Sequence, residues 1–184
     1  GLTLNAITMK SSVLILLLFL GIHAYGQHNL CLELQVYPTG VIPSIGLAKQ
    51  LGNSSELQFR IGANILDHKD FGVQDSEKGV GLGGSLGYRI FKTSDRNKFY
   101  LGLRTDLWKN KIDWSSGTQP IIARGESQIL VLQPTAEIGY RFSKFKKQWF
   151  IQPAISFGRE FNIQTIGAEI GQGWILLAGL SVGI

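Results

Sequence analysis

The sequence predicts an all-β fold: a transmembrane up-and-down antiparallel β-barrel of about eight strands in meander order. Three observations predict it. Apolar residues recur with a period of two in about eight successive segments, the connections between segments alternate in length, and the apolar side of most segments carries no charge. Successive side chains on a strand point to opposite faces, so a period of two marks a strand with one apolar side.

Taken in order, the first strand is expected at about 30–37, with Leu30, Leu32, Leu34 and Val36 on its apolar face. The second, about 41–51, is the weakest, because Pro43 interrupts it. The third sets Leu57, Phe59, Ile61, Ala63 and Ile65 against Glu56, Gln58, Arg60, Gly62 and Asn64. The fourth, about 79–91, places Val80, Leu82, Leu86, Tyr88 and Ile90 opposite glycines, Ser85 and Arg89. In the fifth, Phe99, Leu101, Leu103, Thr105 and Leu107 oppose Tyr100, Gly102, Arg104, Asp106 and Trp108. The sixth runs from Leu130 to Phe142 on its apolar side, against Ile129, Val131, Gln133, Thr135, Glu137, Gly139 and Arg141. The seventh is expected at about 149–160. The eighth, about 173–184, has Trp174, Leu176, Ala178, Leu180, Val182 and Ile184 on one side.

Short polar turns fall at 52–55, 93–98 and 143–148, and longer connections at 67–78, 110–125 and 162–172. The connection around Pro38-Thr39-Gly40 is long in neither sense. Tight turns at one end and long loops at the other are the pattern of membrane barrels, and an even strand number returns both termini to one side.

Composition fits one domain after loss of a leader. Charged residues make up 17% of the 184-residue chain, below the roughly 25% usual in soluble domains. The net charge of +5 raises the question of nucleic acid, but the lysines sit in turns and at strand ends without a continuous patch, which argues against it. Met9 and Lys10 precede an apolar run from Val13 to Leu20, then Ala24-Tyr25-Gly26 and Gln27. A positive start, an apolar stretch of about ten residues and a small-x-small site predict a cleavable secretory signal. Residues 1–26 are therefore expected to be upstream sequence plus leader, and 27–184 the barrel domain. The run is about half of the roughly 20 residues a spanning helix needs. Cys31 can form no intramolecular disulfide as the lone cysteine, and His28-Asn29-Leu30 before it do not form a lipidation site.

Alternation alone does not separate a membrane barrel from a soluble one with its apolar face inward. The charge-free faces of strands three to six and eight favour lipid outside, as do inward-suited Gly, Ser, Gln, Glu and Arg on the polar faces. Aromatics also crowd the strand ends: Tyr88, Phe91, Phe99 and Tyr100 about one turn, Tyr140, Phe142, Trp149 and Phe150 about another. Tyr88, Phe99, Tyr140, Phe142, Trp149 and Trp174 are the expected interfacial girdle. Inside, Glu33, Glu56, Asp106 and Glu137 balance Arg60, Arg89, Arg104 and Arg141. Eight strands leave a bore that side chains can fill, and these eight residues are expected to plug it as a charge network, with Arg60, Arg104, Glu33 and Glu137 nearest the middle.

With leader, eight alternating segments, unequal connections and aromatic belts, the region from about residue 30 to 184 resembles the small OmpA/OmpX-type outer-membrane barrels of Gram-negative bacteria. The resemblance implies insertion by the barrel-assembly machinery and contact with outer-membrane lipid and lipopolysaccharide. It also implies a role in membrane integrity, adhesion or surface display. Members often end in an aromatic residue. Here the last residues are Leu180-Ser181-Val182-Gly183-Ile184, so the signal is degenerate or residues are missing.

Catalysis finds little support. Hydrolysis at a membrane interface wants Ser, His and an acid together. His23 belongs to the leader, His28 lies at the new terminus, and His68 sits beside Asp67 and Asp70 in an expected solvated loop. These supply neither a triad nor a metal set. Gly79-Val80-Gly81-Leu82-Gly83-Gly84 lacks the strand-to-helix context of a phosphate loop, and no cofactor is implied. The longest connection, 110–125, with Trp114 expected exposed among Lys109, Lys111 and Arg124, is the candidate surface for an unidentified partner or lipopolysaccharide phosphates. A non-enzymatic surface role is the favoured reading. A narrow porin-like channel and a lipid-modifying enzyme are the alternatives.

Overall fold

The computed structural model describes residues 28–70, 73–92, 98–117, 121–143 and 149–184. The expected leader, the start at Gln27, most of the turns at 93–98 and 143–148 and the tip of the 110–125 connection lie outside the described residues. The strands are β1 (His28–Tyr37), β2 (Gly40–Gln50), β3 (Ser55–Lys69), β4 (Ser76–Phe91), β5 (Lys98–Ser116), β6 (Ala123–Ser143), β7 (Phe150–Arg159), β8 (Phe161–Ile166) and β9 (Trp174–Gly183). All pairings are antiparallel, and the sheet closes through β1–β9 and β5–β6. β8 continues β7 past Glu160 and pairs with β6 alone, so the two form one stave and the barrel has eight. No helix among the described residues is long and apolar enough to cross a membrane.

The register sets the tilt. Asn29, Ala48, Gln58, Gly87, Arg104, Thr135, Gly158 and Ile175 are successive cross-strand partners around the ring. Continuing the Val36–Ala178 register brings the path back to β1 at Thr39, ten residues beyond Asn29. A stagger of that size over eight strands inclines them by about 40° to the barrel axis. The ends of the barrel differ. The ends of β2, β4 and β6 lie at the turn end with both ends of the described chain, and the ends of β3, β5 and β8 lie at the loop end.

Four elements depart from the sequence expectation, the first being the connection 67–78, into which β3 extends to Lys69 and β4 back to Ser76. β2 runs unbroken through Pro43, which pairs with Leu34 of β1 and is exposed on the outer face. The β2–β3 ladder passes from Val41–Ile65 to Ser44–Gly62 without pairs between them, so a residue lacking an N–H interrupts one ladder while the other holds the strand. The expected loop 110–125 is mostly hairpin, because β5 and β6 stay paired up to Ser116 and Ala123. The expected loop 162–172 begins only after Ile166, with Gly167 in the left-handed conformation at φ 107°.

Glycines on the inner face of β4 let its neighbours close in. A Cβ on Gly83 would lie 2.0 Å from the Leu107 carbonyl oxygen and 2.5 Å from the Trp108 ring. Both belong to β5, and Trp108 is fully buried. Gly83→Ala should therefore destabilise the barrel by about 1–3 kcal/mol, the usual range for overpacking. A urea titration read by tryptophan fluorescence checks it, and an unchanged midpoint would mean the β4–β5 seam yields freely.

Candidate functional site

Side chains alternate about the wall, and the outer positions form an apolar belt. Leu82, Leu103 and Trp174 are 72%, 69% and 70% exposed, and Ile61, Leu101, Ile138, Ile155, Phe157 and Leu180 are exposed with them. Towards the loop end the same outward rows turn polar: Asp67 and Lys69 on β3, Lys78 on β4, Lys109, Lys111 and Asp113 on β5, Arg124 and Glu126 on β6. The uncharged stretch on β3, Leu57 to Ile65, and its counterpart on β5, Phe99 to Leu107, each span eight residue steps. On strands tilted by about 40°, that covers roughly 20 Å of axial height, close to the roughly 25 Å band of membrane barrels.

Of the six expected girdle residues, Tyr88, Phe99 and Phe142 are exposed near the turn end. Tyr140 packs on Phe142 with ring centroids 4.6 Å apart, and Trp149 is half-buried. Trp174 is at the opposite end, stacked on Phe157 at 5.1 Å. Phe91, Tyr100 and Phe150 do not join the belt as the grouping at strand ends suggested. They have the other parity and point inward.

The lumen holds three kinds of neighbour, stacked from the turn end upward. Lowest, Arg141 donates through both terminal nitrogens to Glu56, at 2.8 Å each, and through Nε to Gln152 Oε1 at 2.7 Å. Its guanidinium lies 4.6 Å from the Phe91 ring centroid and 4.4 Å from that of Phe150. Arg is suited to both at once, being a planar fork with a stacking face.

Above this is the charge cluster. Arg60 reaches Glu33 and Asp106 at 2.5 Å each and donates through Nε to Ser85 at 2.8 Å. Arg104 lies 2.9 Å from Glu137, 3.1 Å from Asp106 and 3.4 Å from Glu33. Arg89 bonds Glu137 at 2.7 Å and lies 3.6 Å from Glu56, which links the cluster to the Arg141 layer. All eight charged residues expected in the lumen are thus brought into one connected, buried set. Ser181 and Ser156 donate to Glu33 and Glu137 at 3.0 and 3.4 Å, so hydroxyls from β9 and β7 take up further carboxylate lone pairs. Cys31 is buried and unbridged in the same wall, with Gln58 Nε2 3.8 Å from its sulfur.

Nearest the loop end the lumen becomes apolar. Ile42, Trp108, Ile112, Ile129, Val131, Ile170, Ile175 and Leu177 pack with Tyr37 in one buried cluster. The signal for this layer lies in Ile129-Leu130-Val131-Leu132 and Trp174-Ile175-Leu176-Leu177, which are apolar at both parities near one end of the barrel. A strand apolar on both faces is buried on both.

Two expectations at this end are corrected. Trp114 is not the exposed centre of a loop: it is partly buried against the apolar cluster, and a Cβ on Gly125 would meet its ring at 2.5 Å. His68 is not a solvated loop residue either. It sits on β3, 8% exposed, with Nε2 3.2 Å from Glu77 on β4, its cross-strand partner. The strands extend far enough to carry both side chains onto the inner face. Lys109, Lys111 and Arg124 do lie exposed on the outer face of the β5–β6 hairpin. Lys111 holds Glu126 at 2.8 Å, and this hydrogen bond raises the lysine pKa and lowers that of the carboxyl. Among the described residues no group of three His, Cys, Asp or Glu is placed to hold a metal ion.

A cavity of about 520 Å³ opens above the apolar layer. Its wall combines Leu66, Ile112, Ile129 and Ile175 with His68, Glu77, Asn110, Glu160 and Asn162. The loop 167–173 is tied over it: Asn162 donates from its backbone to Gln172 Oε1 at 2.8 Å and from Nδ2 to the Ile170 carbonyl at 2.9 Å, and the Ser127 hydroxyl donates to the Ala168 carbonyl at 2.9 Å.

No protein-family model matches the chain, and no curated protein matches it in sequence. Among solved structures it is similar to the N-terminal β-barrel domain of OprF from Pseudomonas aeruginosa, at 10% identity and a TM-score of 0.47 over 87% of this chain and all of that one. It is similar to Neisserial surface protein A at 12% identity and 0.49, over 85% of this chain and 93% of that one. A major outer membrane protein from Thermus thermophilus gives 12% identity and 0.47, over 85% and 98%.

Proposed function

We propose that the chain is an integral outer-membrane β-barrel with a structural and surface-contact role rather than a catalytic one. It is exported by its leader and inserted by the barrel-assembly machinery. The observation that carries this is the belt: a closed ring whose outward side chains are apolar and exposed, from Leu32 and Leu34 on β1 round to Leu176 and Leu180 on β9, while Arg60, Arg89, Arg104, Glu33 and Glu137 face inward. Water outside would invert that arrangement. Acyl chains outside explain it, and only helices and closed barrels satisfy every backbone group there.

The lumen is plugged. Four guanidinium groups and four carboxylates hold one another across the bore, with aromatic rings below and the Ile42–Trp108–Leu177 layer above. That arrangement supports a wall scaffold over the channel reading. The surface for a partner, or for the phosphates of lipopolysaccharide, is the β5–β6 hairpin with Lys109, Lys111 and Arg124.

Membrane fractionation with gel electrophoresis before and after boiling tests the first statement. The chain should sediment with outer membranes and change mobility on heating, whereas an unheated soluble monomer would defeat it. Planar-bilayer recording tests the second. No steady conductance is expected, and reproducible single-channel steps would restore the channel reading.

A further inference from the structure

The loop-end cavity has features that the scaffold role does not use. Two polar side chains more than nine-tenths buried lie in its wall with an atom lacking a partner: His68 at Nδ1 and Asn110 at Oδ1. Buried polar groups are ordinarily hydrogen-bonded, and leaving one unmet costs about 1–3 kcal/mol. His68 places Nε2 against the Glu77 carboxylate. A neutral imidazole with its proton on that nitrogen leaves Nδ1 as an acceptor. Asn110 Oδ1 is an acceptor by nature. Glu160 adds a carboxylate at the break between β7 and β8. Among the described residues the wall contains no lysine or arginine, while Asp70, Glu77 and Glu160 all line it. With Nε2 of His68 donating to Glu77 both unmet atoms accept, the acidic side chains outnumber the one histidine, and the rest of the lining is largely apolar.

There is also a way in. The β1–β2 hairpin turns at Pro38 and Thr39, while the adjoining β3 continues to Lys69. Pairing between β1 and β9 stops at Val36–Ala178, leaving the start of β9 without a β1 partner. The wall is therefore low along this seam. Trp174 and Leu176, exposed on the outer face, also line the cavity, so it reaches the barrel exterior there. The Asp67 N–H bonds the Thr39 carbonyl at 3.1 Å and holds the sill in place.

We propose that this cavity binds an apolar primary amine, its tail on Leu66, Ile112, Ile129 and Ile175 and its ammonium donating to His68, Asn110 and Glu160. An ammonium brings three donors and no acceptor, which matches what the wall lacks. A volume of about 520 Å³ suits a ligand of one short chain, within the few hundred to 1,000 Å³ usual for small-molecule sites.

The test titrates octylamine, octanol and octanoate against the full-length barrel in phosphatidylcholine nanodiscs, read by tryptophan fluorescence and calorimetry. Insertion is scored separately by heat-dependent gel mobility, so failure of the membrane reading and failure of the site are distinguishable. Octylamine should bind at least tenfold more tightly than octanol, with octanoate weakest. Glu160→Gln, close in size to the native residue, should reduce octylamine affinity about tenfold and leave octanol unchanged, a charge-assisted hydrogen bond being worth about that factor. Asn110→Leu should weaken octylamine alone. Loss of octylamine binding when phosphatidylethanolamine is added to the discs would identify a lipid headgroup as the source of the amine, and retention would identify a free one. Equal affinities for the three probes, or an octylamine affinity indifferent to Glu160→Gln in a correctly inserted barrel, would overturn the proposal.

Discussion

Arg60→Ala should lower the unfolding free energy of the inserted barrel by about 3–5 kcal/mol, the range for removing one member of a buried ion pair. Arg60 is 1% exposed and reaches across the bore to Glu33 on β1 and Asp106 on β5, closer to each than Arg104 is. Without it, four buried carboxylates face three guanidinium groups, and Asp106 is left to Arg104, which also serves Glu33 and Glu137. The loss comes mainly from stranded charge rather than from the missing attraction. That attribution makes a second prediction of opposite sense. Adding Asp106→Asn to an Arg60→Met variant removes one charge of each sign, and Glu33 keeps Arg104 at 3.4 Å. The double variant should recover most of the stability, because a buried pair replaced as a unit is often neutral. Urea unfolding in phospholipid vesicles, followed by gel mobility and fluorescence, measures both. A single variant within about 1 kcal/mol of the wild type, or a double variant no better than the single, would mean that the charges do not organise the lumen.

The parity of each strand carried most of this architecture. Arg60 stands between Phe59 and Ile61, Arg104 between Leu103 and Thr105, and Glu137 between Ala136 and Ile138, so the inner face of β3, β5 and β6 could be assigned from the sequence, and Arg89 and Arg141 followed by the same rule. What parity could not supply was the partner. Arg60 meets Asp106 from 46 positions away, and Glu33 meets Ser181 from 148. Those meetings depend on the ten-residue stagger of the ring, which no local pattern encodes. The loop end is less legible in the sequence for a different reason. Lys109, Lys111 and Asp113 make the outer face of β5 look like a loop, because a strand rising out of lipid is polar outside and apolar inside. The alternation persists there with its sign reversed: Trp108, Ile112 and Ile129 point in, and His68 and Trp114 follow them. The period of two with one apolar face ends at that reversal although the strand does not.

That reversal gives the belt an upper edge, and the edge makes the membrane reading quantitative. Leu103→Arg places a guanidinium near the middle of the charge-free stretch of β5, and Lys109→Leu removes a charge just beyond it. In a bilayer the first should destabilise the barrel by about 2–4 kcal/mol, the cost of Arg at mid-membrane on a barrel exterior. The second should leave the unfolding midpoint where it was. The contrast lies in its sign as much as its size. Leu103 points away from the lumen and is 69% exposed, so in water its replacement by Arg would relieve an exposed apolar patch and raise solubility. Only a solvent unable to hydrate a charge makes the same change unfavourable. Measured in short-chain phosphatidylcholine vesicles, a penalty at Leu103 that vanishes at Lys109 locates the hydrocarbon boundary between them. Equal and negligible effects at both positions would put water against the whole outer face and remove the physical basis for a spanning barrel.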